Sequence, residues 1–477
     1  MTFFSLPWLD LAFLVPLFGA AVVSLIRDTS LASRWSLGFT GAAFAAAFLA
    51  WLGFYQGLAD ADATWALLRG AGGEPILNLD ELNAPLVPLA ALLHFLTALT
   101  TTRTKEGRFS FAWLLVGDAT RIGIFGCSDP WTLIGLLVVG MLPTYFELQA
   151  RGKSTRVFAL HMGLFSVLLV SGWALEQYDG GQSWWASVPL LLAIVVRIGA
   201  VPAHCWMVDL FISASFGTAL LFVTPLTAIY AAVRLVLPVA PDWVLKAIGM
   251  LSLFTALYAA GMAVVQKEGR RFFAYLCLSH SSMVLVGLEL HTSTSLTGAL
   301  CLWFSLMLAL SGFGFTLRAL EARYGRLSLT HYHGLYDQSP MLGVCFLLTG
   351  LACVGFPGTL GYVSGELLID GLVGTNLLIG LGAVLAAAIN GIAVVRAYFL
   401  LFTGARHASS VSLRLTRRER FAVLTLAVLI LGGGLLPQPG VVTRYRAAEA
   451  VLHTRQTRHL DDAGDWDPAD GPHTSHP

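Results

Sequence analysis

The sequence predicts an all-α integral membrane protein with about fourteen transmembrane helices, and three observations carry that prediction. Of 477 residues, 56% are hydrophobic and only 12% are charged, where soluble domains carry roughly 25% charged residues, and the mean hydropathy is +0.72. Long apolar runs recur along the chain, each near the roughly 20 residues that a helix needs to cross hydrocarbon. Basic residues collect in alternate loops between those runs. A soluble enzyme, a nucleic-acid binder and a secreted disulfide scaffold are excluded on the first count alone. The net charge of +1 gives no sign of an acidic partner.

The runs lie near residues 7–26, 35–57, 84–101, 110–127, 130–149, 157–175, 184–203, 216–239, 243–265, 272–292, 295–317, 339–362, 372–402 and 421–436. They are continuous, whereas a membrane barrel shows short alternating segments, so each reads as a helix. The amino-terminal stretch Met1–Trp8 lacks a basic region and runs straight into the first apolar segment, which reads as a retained span. Six cysteines fall in or beside apolar runs with no Cys-x-x-Cys pair, so neither an iron–sulfur cluster nor a zinc site is supported. No cofactor is expected.

Nineteen of the 29 Lys and Arg residues, Arg151, Lys267 and Arg270 among them, fall in loops that follow odd-numbered runs. Loops after even-numbered runs hold only Arg69 and Lys246, alongside acids such as Asp60, Asp62, Glu74 and Asp129. Short basic loops stay cytoplasmic. The expectation is therefore a multi-pass protein of the cell inner membrane with both termini outside. Arg444, Arg446, Arg455 and Arg458, after run fourteen, go against the rule. The stretch from about Asp461 to Pro477 is polar with several Pro and Gly residues and is expected to be a disordered tail.

Two runs are interrupted at matching places. Run seven breaks at Ile198-Gly199-Ala200-Val201-Pro202 and run twelve at Val354-Gly355-Phe356-Pro357-Gly358. Proline removes a backbone donor, so each helix should unwind in mid-membrane. Paired broken helices point to repeats with an ion or substrate path between them.

Ionisable residues inside the runs are costly and need a partner, water or a function. The candidates are His94, Asp118, Arg121, Glu147, His161, Arg197, Arg234, His280, Glu289, Glu366 and Arg396. Asp118 and Arg121, spaced i, i+3, are expected to neutralise one another as a structural pair. Glu147, Glu289 and Arg234 lie near run ends, within reach of the interface. His94, His161 and His280 fit hydrogen-bonded core positions. The segment from Arg197 through His204 to Asp209 is the densest polar constellation, and a histidine and aspartate just past an unwound turn can pass protons.

That segment, Arg197-x4-Pro202-x-His204-x-Trp206-x2-Asp209, resembles the span-seven signature of the antiporter-like membrane subunits. These serve respiratory complex I, Mrp-type antiporters, membrane hydrogenases and an inorganic-carbon uptake complex. Tyr230-Ala-Ala-Val-Arg234, Arg271-Phe-Phe-Ala-Tyr275 running to His280, Gly355-Phe-Pro-Gly running to Glu366, and Arg396-Ala-Tyr398 running to Gly404 resemble later family segments in the same order. The likeness covers roughly residues 80–405. It implies fourteen spans: three amino-terminal ones (1–109), two inverted five-helix repeats (110–239 and 240–405), and a last span after a basic loop (406–460). It also implies proton or cation translocation, with Glu147, Arg197, His204, Asp209, Arg234, His280, Glu366 and Arg396 along the ion pathway.

The departures from the family pattern are chemical. The pumping members' span-five glutamate falls on Val138, with Glu147 the nearby carboxylate; their span-seven lysine is Arg197; their span-eight lysine falls on Leu226. The middle of span eleven, Leu302 to Ser311, holds no ionisable group. Lysine gives up its proton when desolvated, whereas arginine does not. The sequence thus reads as an altered antiporter-like subunit that moves protons or cations to energise a partner. The membrane subunit of an inorganic-carbon (bicarbonate/CO2) uptake complex, beside a large soluble zinc-containing subunit, is the preferred assembly. Alternatives are a proton-translocating subunit of an NADH:quinone oxidoreductase-like or Mrp-like complex, a non-conducting structural subunit, and a transporter whose Arg197 binds an anion.

Overall fold

The computed structural model describes residues 6–57, 68–69, 75–101, 109–179, 184–288, 292–404 and 415–464, with side chains as far as 457. Among these residues the regular structure is helical, with only isolated bridges between loops. In chain order the helices are α1 (Trp8–Ser24), α2 (Thr29–Tyr55), α3 (Leu86–Thr100), α4 (Phe111–Gly126), α5a (Pro130–Val139) and α5b (Leu142–Ala150), then α6 (Arg156–Asp179). α7a (Ser187–Ile198) and α7b (Cys205–Ser213) follow, then α8a (Phe216–Val223) and α8b (Thr227–Ala231), which runs on into a π turn over Ala232–Val236. The second half comprises α9 (Asp242–Val265), α10 (Gly269–Leu288), α11 (Ser293–Tyr324), α12a (Pro340–Val354), α12b (Leu360–Thr375), α13 (Leu377–Phe402), α14 (Arg417–Leu435) and α15 (Gln438–Gly464). Eight described helices are long and apolar enough to cross a membrane, or nine if the bent α14–α15 pair is one span; the other expected segments are shorter or interrupted.

The helices start where short polar side chains meet freed N–H groups. Asp28, Ser110, Asp129, Ser215, Thr292 and Asn376 each accept a bond from the first turn of the helix that they precede. Thr416 and Glu419 form a reciprocal capping box on α14. α8, α10 and α11 form the enclosed centre, with 94% of their apolar windows buried, while α2 and α6, at 33%, face outward.

Bonds between loops sort into two sets that never mix. On one side, where the basic loops lie, Arg270 pairs with Glu321 at 2.8 Å and donates to the Phe211 and Ala214 carbonyls. There too Arg323 pairs with Glu419, and Arg318 holds the end of α3 through Thr97, Thr100 and Thr101. On the other side Asn78 donates to the Gly126 carbonyl, Tyr230 to the Cys127 carbonyl, and Trp131 to Gln177. Consecutive apolar segments therefore end on alternate faces. The basic-loop residues Arg103, Lys105, Arg108, Arg406 and Arg414, and the acids Asp60, Asp62 and Glu74, lie outside the described residues, as does Glu289.

The four arginines that break the charge rule belong to α15, which turns 79° from α14 and lies across the acidic face. Arg444 donates to the Glu81 and Leu82 carbonyls, at 2.6 and 2.7 Å, and Arg455 binds Asp242 at 2.7 Å and the Leu237 carbonyl. Arg446 lies 3.8 Å from Glu81, and the Arg458 side chain is outside the described residues. These charges are spent on helix ends and carboxylates, which removes the conflict. The expected disordered tail starts later than the sequence suggests: α15 runs to Gly464, and residues 465–477 lie outside the described residues.

α11 and α12b touch backbone to backbone, because a Cβ on Gly298 would stand 2.5 Å from the Leu368 nitrogen. Gly298→Val should therefore force these helices apart, costing about 3 kcal/mol or more and lowering the melting temperature and membrane abundance. Gly365→Ala, which meets open space, should leave both unchanged.

Candidate ion pathway

Both expected breaks are present, and they are built alike. α7a ends at Gly199 (φ +83) and α12a at Gly355 (φ +89), the left-handed conformation that glycine adopts without strain. In the first, Ala200 N–H bonds the Val195 carbonyl and Gly199 N–H that of Val196; in the second, Phe356 N–H bonds Leu351 and Gly355 N–H bonds Ala352. Each pair is the six-to-one and five-to-two closure that finishes a helix on glycine. Beyond the first break, Thr255 Oγ1 on α9 accepts the Val201 N–H at 3.1 Å, and Trp206 Nε1 donates to the Val196 carbonyl at 2.9 Å.

A third break, which the sequence reading missed, divides span eight. Pro225 interrupts the ladder and Leu226 is held at φ +51, a strained conformation for a branched side chain. Trp303 Nε1 donates to the freed Pro225 carbonyl at 3.3 Å, and Ser311 donates to Thr224 at 3.1 Å. Leu226 is where the resemblance places a family lysine, and serine and threonine hydroxyls from spans eight and eleven meet beside it. The Pro225 within run eight carried the signal.

The expected pathway residues divide into separate groups. Arg197 is buried with its guanidinium 4.1 Å from the Phe222 ring centre, 5.6 Å from Trp206 and 6.0 Å from Phe165. It donates to Thr227 at 3.4 Å, and no carboxylate lies within ion-pair distance among the described residues. Cation–π contact holds it in place of a counter-charge. His204 Nε2 lies 3.5 Å from the Tyr258 hydroxyl, and its Nδ1 is buried without a partner. Asp209 accepts a bond from Ser213 at 3.5 Å. Glu147 sits near the basic face, where Oε1 meets Arg151 at 3.1 Å and the Ser215 N–H at 3.2 Å, while Oε2 has no partner. His280 is buried with Nε2 unpartnered.

Others hold backbone. Arg234 binds Tyr230 and Asp80 near the acidic face. Arg396 donates to the Gln266 and Leu329 carbonyls, both at 3.4 Å, and so pins loops at the basic face. His161 bonds the Val157 carbonyl one turn back.

Two expectations are corrected. Asp118 and Arg121 do not pair: Arg121 turns to the Gly140 carbonyl, freed where α5 is interrupted, at 3.4 Å, and Asp118 instead faces His94 Nδ1 at 3.6 Å. Spacing of i, i+3 makes two side chains neighbours without fixing their direction. Glu366 is not interior. The stripe Leu360, Ser364, Leu368 and Leu372 fills the inner face of α12b, so Tyr362, Glu366 and Asp370 point outward.

The comparisons with known proteins agree with this architecture. The family model described as NADH:quinone oxidoreductase/Mrp antiporter, TM, matches residues 158–390. F(420)H(2) dehydrogenase subunit M of Methanosarcina mazei is 25% identical, over 94% of this chain and 98% of its own length. NADH-quinone oxidoreductase subunit M of Pseudomonas aeruginosa is 25% identical over 76% of this chain and 79% of its own. Among solved structures, a chain of the Mrp complex from Dietzia sp. superposes with a TM-score of 0.82 at 20% identity, covering 97% of this chain and 99% of that one. A chain of respiratory complex I from Thermus thermophilus gives 0.79 at 21% identity, covering 94% and 99%. The likeness to antiporter-like membrane subunits drawn from the motifs is thus borne out, and the protein is a multi-pass membrane protein with their fold.

If Asp118 and Arg121 are independent, Asp118→Asn and Arg121→Met should change thermal stability additively, to within about 0.5 kcal/mol. A double-mutant cycle measures this, and a larger coupling would restore the ion pair.

Proposed function

We propose that this antiporter-like membrane subunit carries protons between the two faces of the cell inner membrane as part of a larger assembly, with the basic loops cytoplasmic and both termini outside. The observation that carries the reading is a set of buried polar atoms without protein partners beside the broken helices. Glu147 Oε2, His204 Nδ1, His280 Nε2 and Asn390 Oδ1 are all of this kind. Each costs about 1–3 kcal/mol in a settled core, so a fold that retains them gains something other than stability, and groups that take up and release protons are what a membrane path requires. Glu147 is the entry group on the basic side. His204, beside Tyr258 at the first break, and His280 on α10 are exchangeable groups farther along, while Arg197 supplies fixed positive charge. The Arg234–Asp80 pair marks the opposite mouth.

A neighbouring subunit covers the outward side. Glu366 and Asp370 are exposed on an apolar helix, and Phe356 in the second break is 52% exposed. Irregular backbone and charge at membrane depth are tolerated only under protein or beside water. The named relatives are subunits of dehydrogenase, quinone-oxidoreductase and Mrp assemblies, which favours a partner of that general kind. The finer assignment, to an inorganic-carbon uptake complex with a large zinc-containing soluble subunit, rests on the cofactor-free motif content of the chain. Recovery of one such zinc protein with the tagged chain supports it, and recovery of a flavin- and iron–sulfur-bearing arm rejects it.

In inverted membrane vesicles, Glu147→Gln and His204→Ala should each slow proton flux by about tenfold or more, at unchanged protein abundance. Wild-type rates in both would falsify the conducting reading and leave the structural-subunit one. Glu366→Arg should abolish co-purification with the partner while leaving the melting temperature of the isolated chain unchanged.

A further inference from the structure

We propose that His94 and Asp118 form a proton-storage site in the first half of the chain, reached from the basic face through a water-sized cavity. This deepens the translocation reading above and rests on it. The cavity opens about 40 Å³ to the centres of water molecules, room for two or three waters at roughly 15 Å³ each. Ser110, Thr144 and Glu147 line its outer end, and His94, Gly117 and Arg121 its inner end. Glu147 Oε2, without a protein partner, lies at the mouth.

The imidazole of His94 stands between this cavity and Asp118. Its Nε2 is on the cavity side, 3.6 Å from where a Gly117 Cβ would stand. Its Nδ1 lies 2.9 Å from the Ala90 carbonyl and 3.6 Å from Asp118 Oδ1, just beyond hydrogen-bond range. Asp118 is fully buried, and neither carboxyl oxygen has a hydrogen-bond partner. Isolated carboxylate charge is not tolerated in such surroundings, so the group holds a proton except when the imidazole beside it holds one. Among the other ionisable side chains nearby, Arg121 is committed to the Gly140 carbonyl, and Glu147 to Arg151. Arg197 lies against the Phe222 ring, and Arg234 is bound to Asp80. Asp10 and Arg34 are the ionisable groups on α1 and α2, which also pack on α4.

The transfer balances without any other reactant. A proton from cavity water bonds to Nε2 as the Nδ1 proton passes to Asp118 Oδ1, which leaves a neutral carboxylic acid and the other imidazole tautomer. The reverse steps return the proton to the water. Asp118 and His94 thus take the place of the carboxylate that span five lacks at Val138.

The test uses the full chain with its native partners in inverted membrane vesicles, comparing wild type, Asp118→Asn and His94→Gln. Proton flux should fall about tenfold or more in both. Infrared difference spectra should show a deuterium-sensitive carbonyl stretch of a buried carboxylic acid in the wild type, absent in Asp118→Asn and displaced in His94→Gln. Wild-type flux in both variants, or a band that survives Asp118→Asn, overturns the site. If Asp118→Asn does not accumulate, the His94→Gln spectrum decides, and an undisplaced band overturns it. A wild type that moves no protons yet shows the Asp118 band would sink the translocation reading and leave the site standing.

Discussion

Lipid offers no hydrogen bonds, so any backbone group released from a helix inside the membrane must find a partner within the protein. The rest of this molecule follows from that constraint. Gly199 and Gly355 close their helices on their own carbonyls, and what they leave over is taken by side chains from neighbouring spans. Trp206 takes Val196, Trp303 takes Pro225, Arg121 takes Gly140, and Thr255 receives the Val201 N–H. Each interruption therefore draws a polar side chain into the core. The polar interior is organised around these interruptions, and the charged residues that do not serve them are the ones available for ion chemistry.

The spans and two of the breaks were legible because length, continuity and a Gly–Pro pair are local signals. The break at Pro225 was legible in principle, but its flanks are so apolar that the run reads as one piece. Side-chain direction was not legible at all. Asp118 and Arg121 stand one turn apart and still address different helices. Glu366 could have been placed by phase, since Leu360, Ser364, Leu368 and Leu372 define the inner stripe two residues out of step with it. What spacing could not show is which buried atoms end without partners, because that depends on five or six helices at once.

The charge pattern also acquires a cause. Basic side chains on one face do more than set orientation: Arg270, Arg318, Arg323 and Arg396 each fasten a loop or helix end to another span. On the opposite face the same task falls to the arginines of α15, and for that reason a basic segment lies where acidic loops prevail. A residue count by loop mixes these structural cations with the orienting ones, which is how the last helix came to look anomalous.

α15 has a mechanical consequence. Through Arg444, Glu449 and Arg455 it is tied to the loop before α3, the start of α11 and the turn between α8 and α9. It thus acts as a crossbeam fixed to both halves at one end of the molecule. A rocker motion that alternately splayed those halves would have to shear buried guanidinium bonds at every stroke. Access must then switch through rotamers and water chains around a stationary frame, with any coupling to a neighbour delivered sideways as a shift of charge.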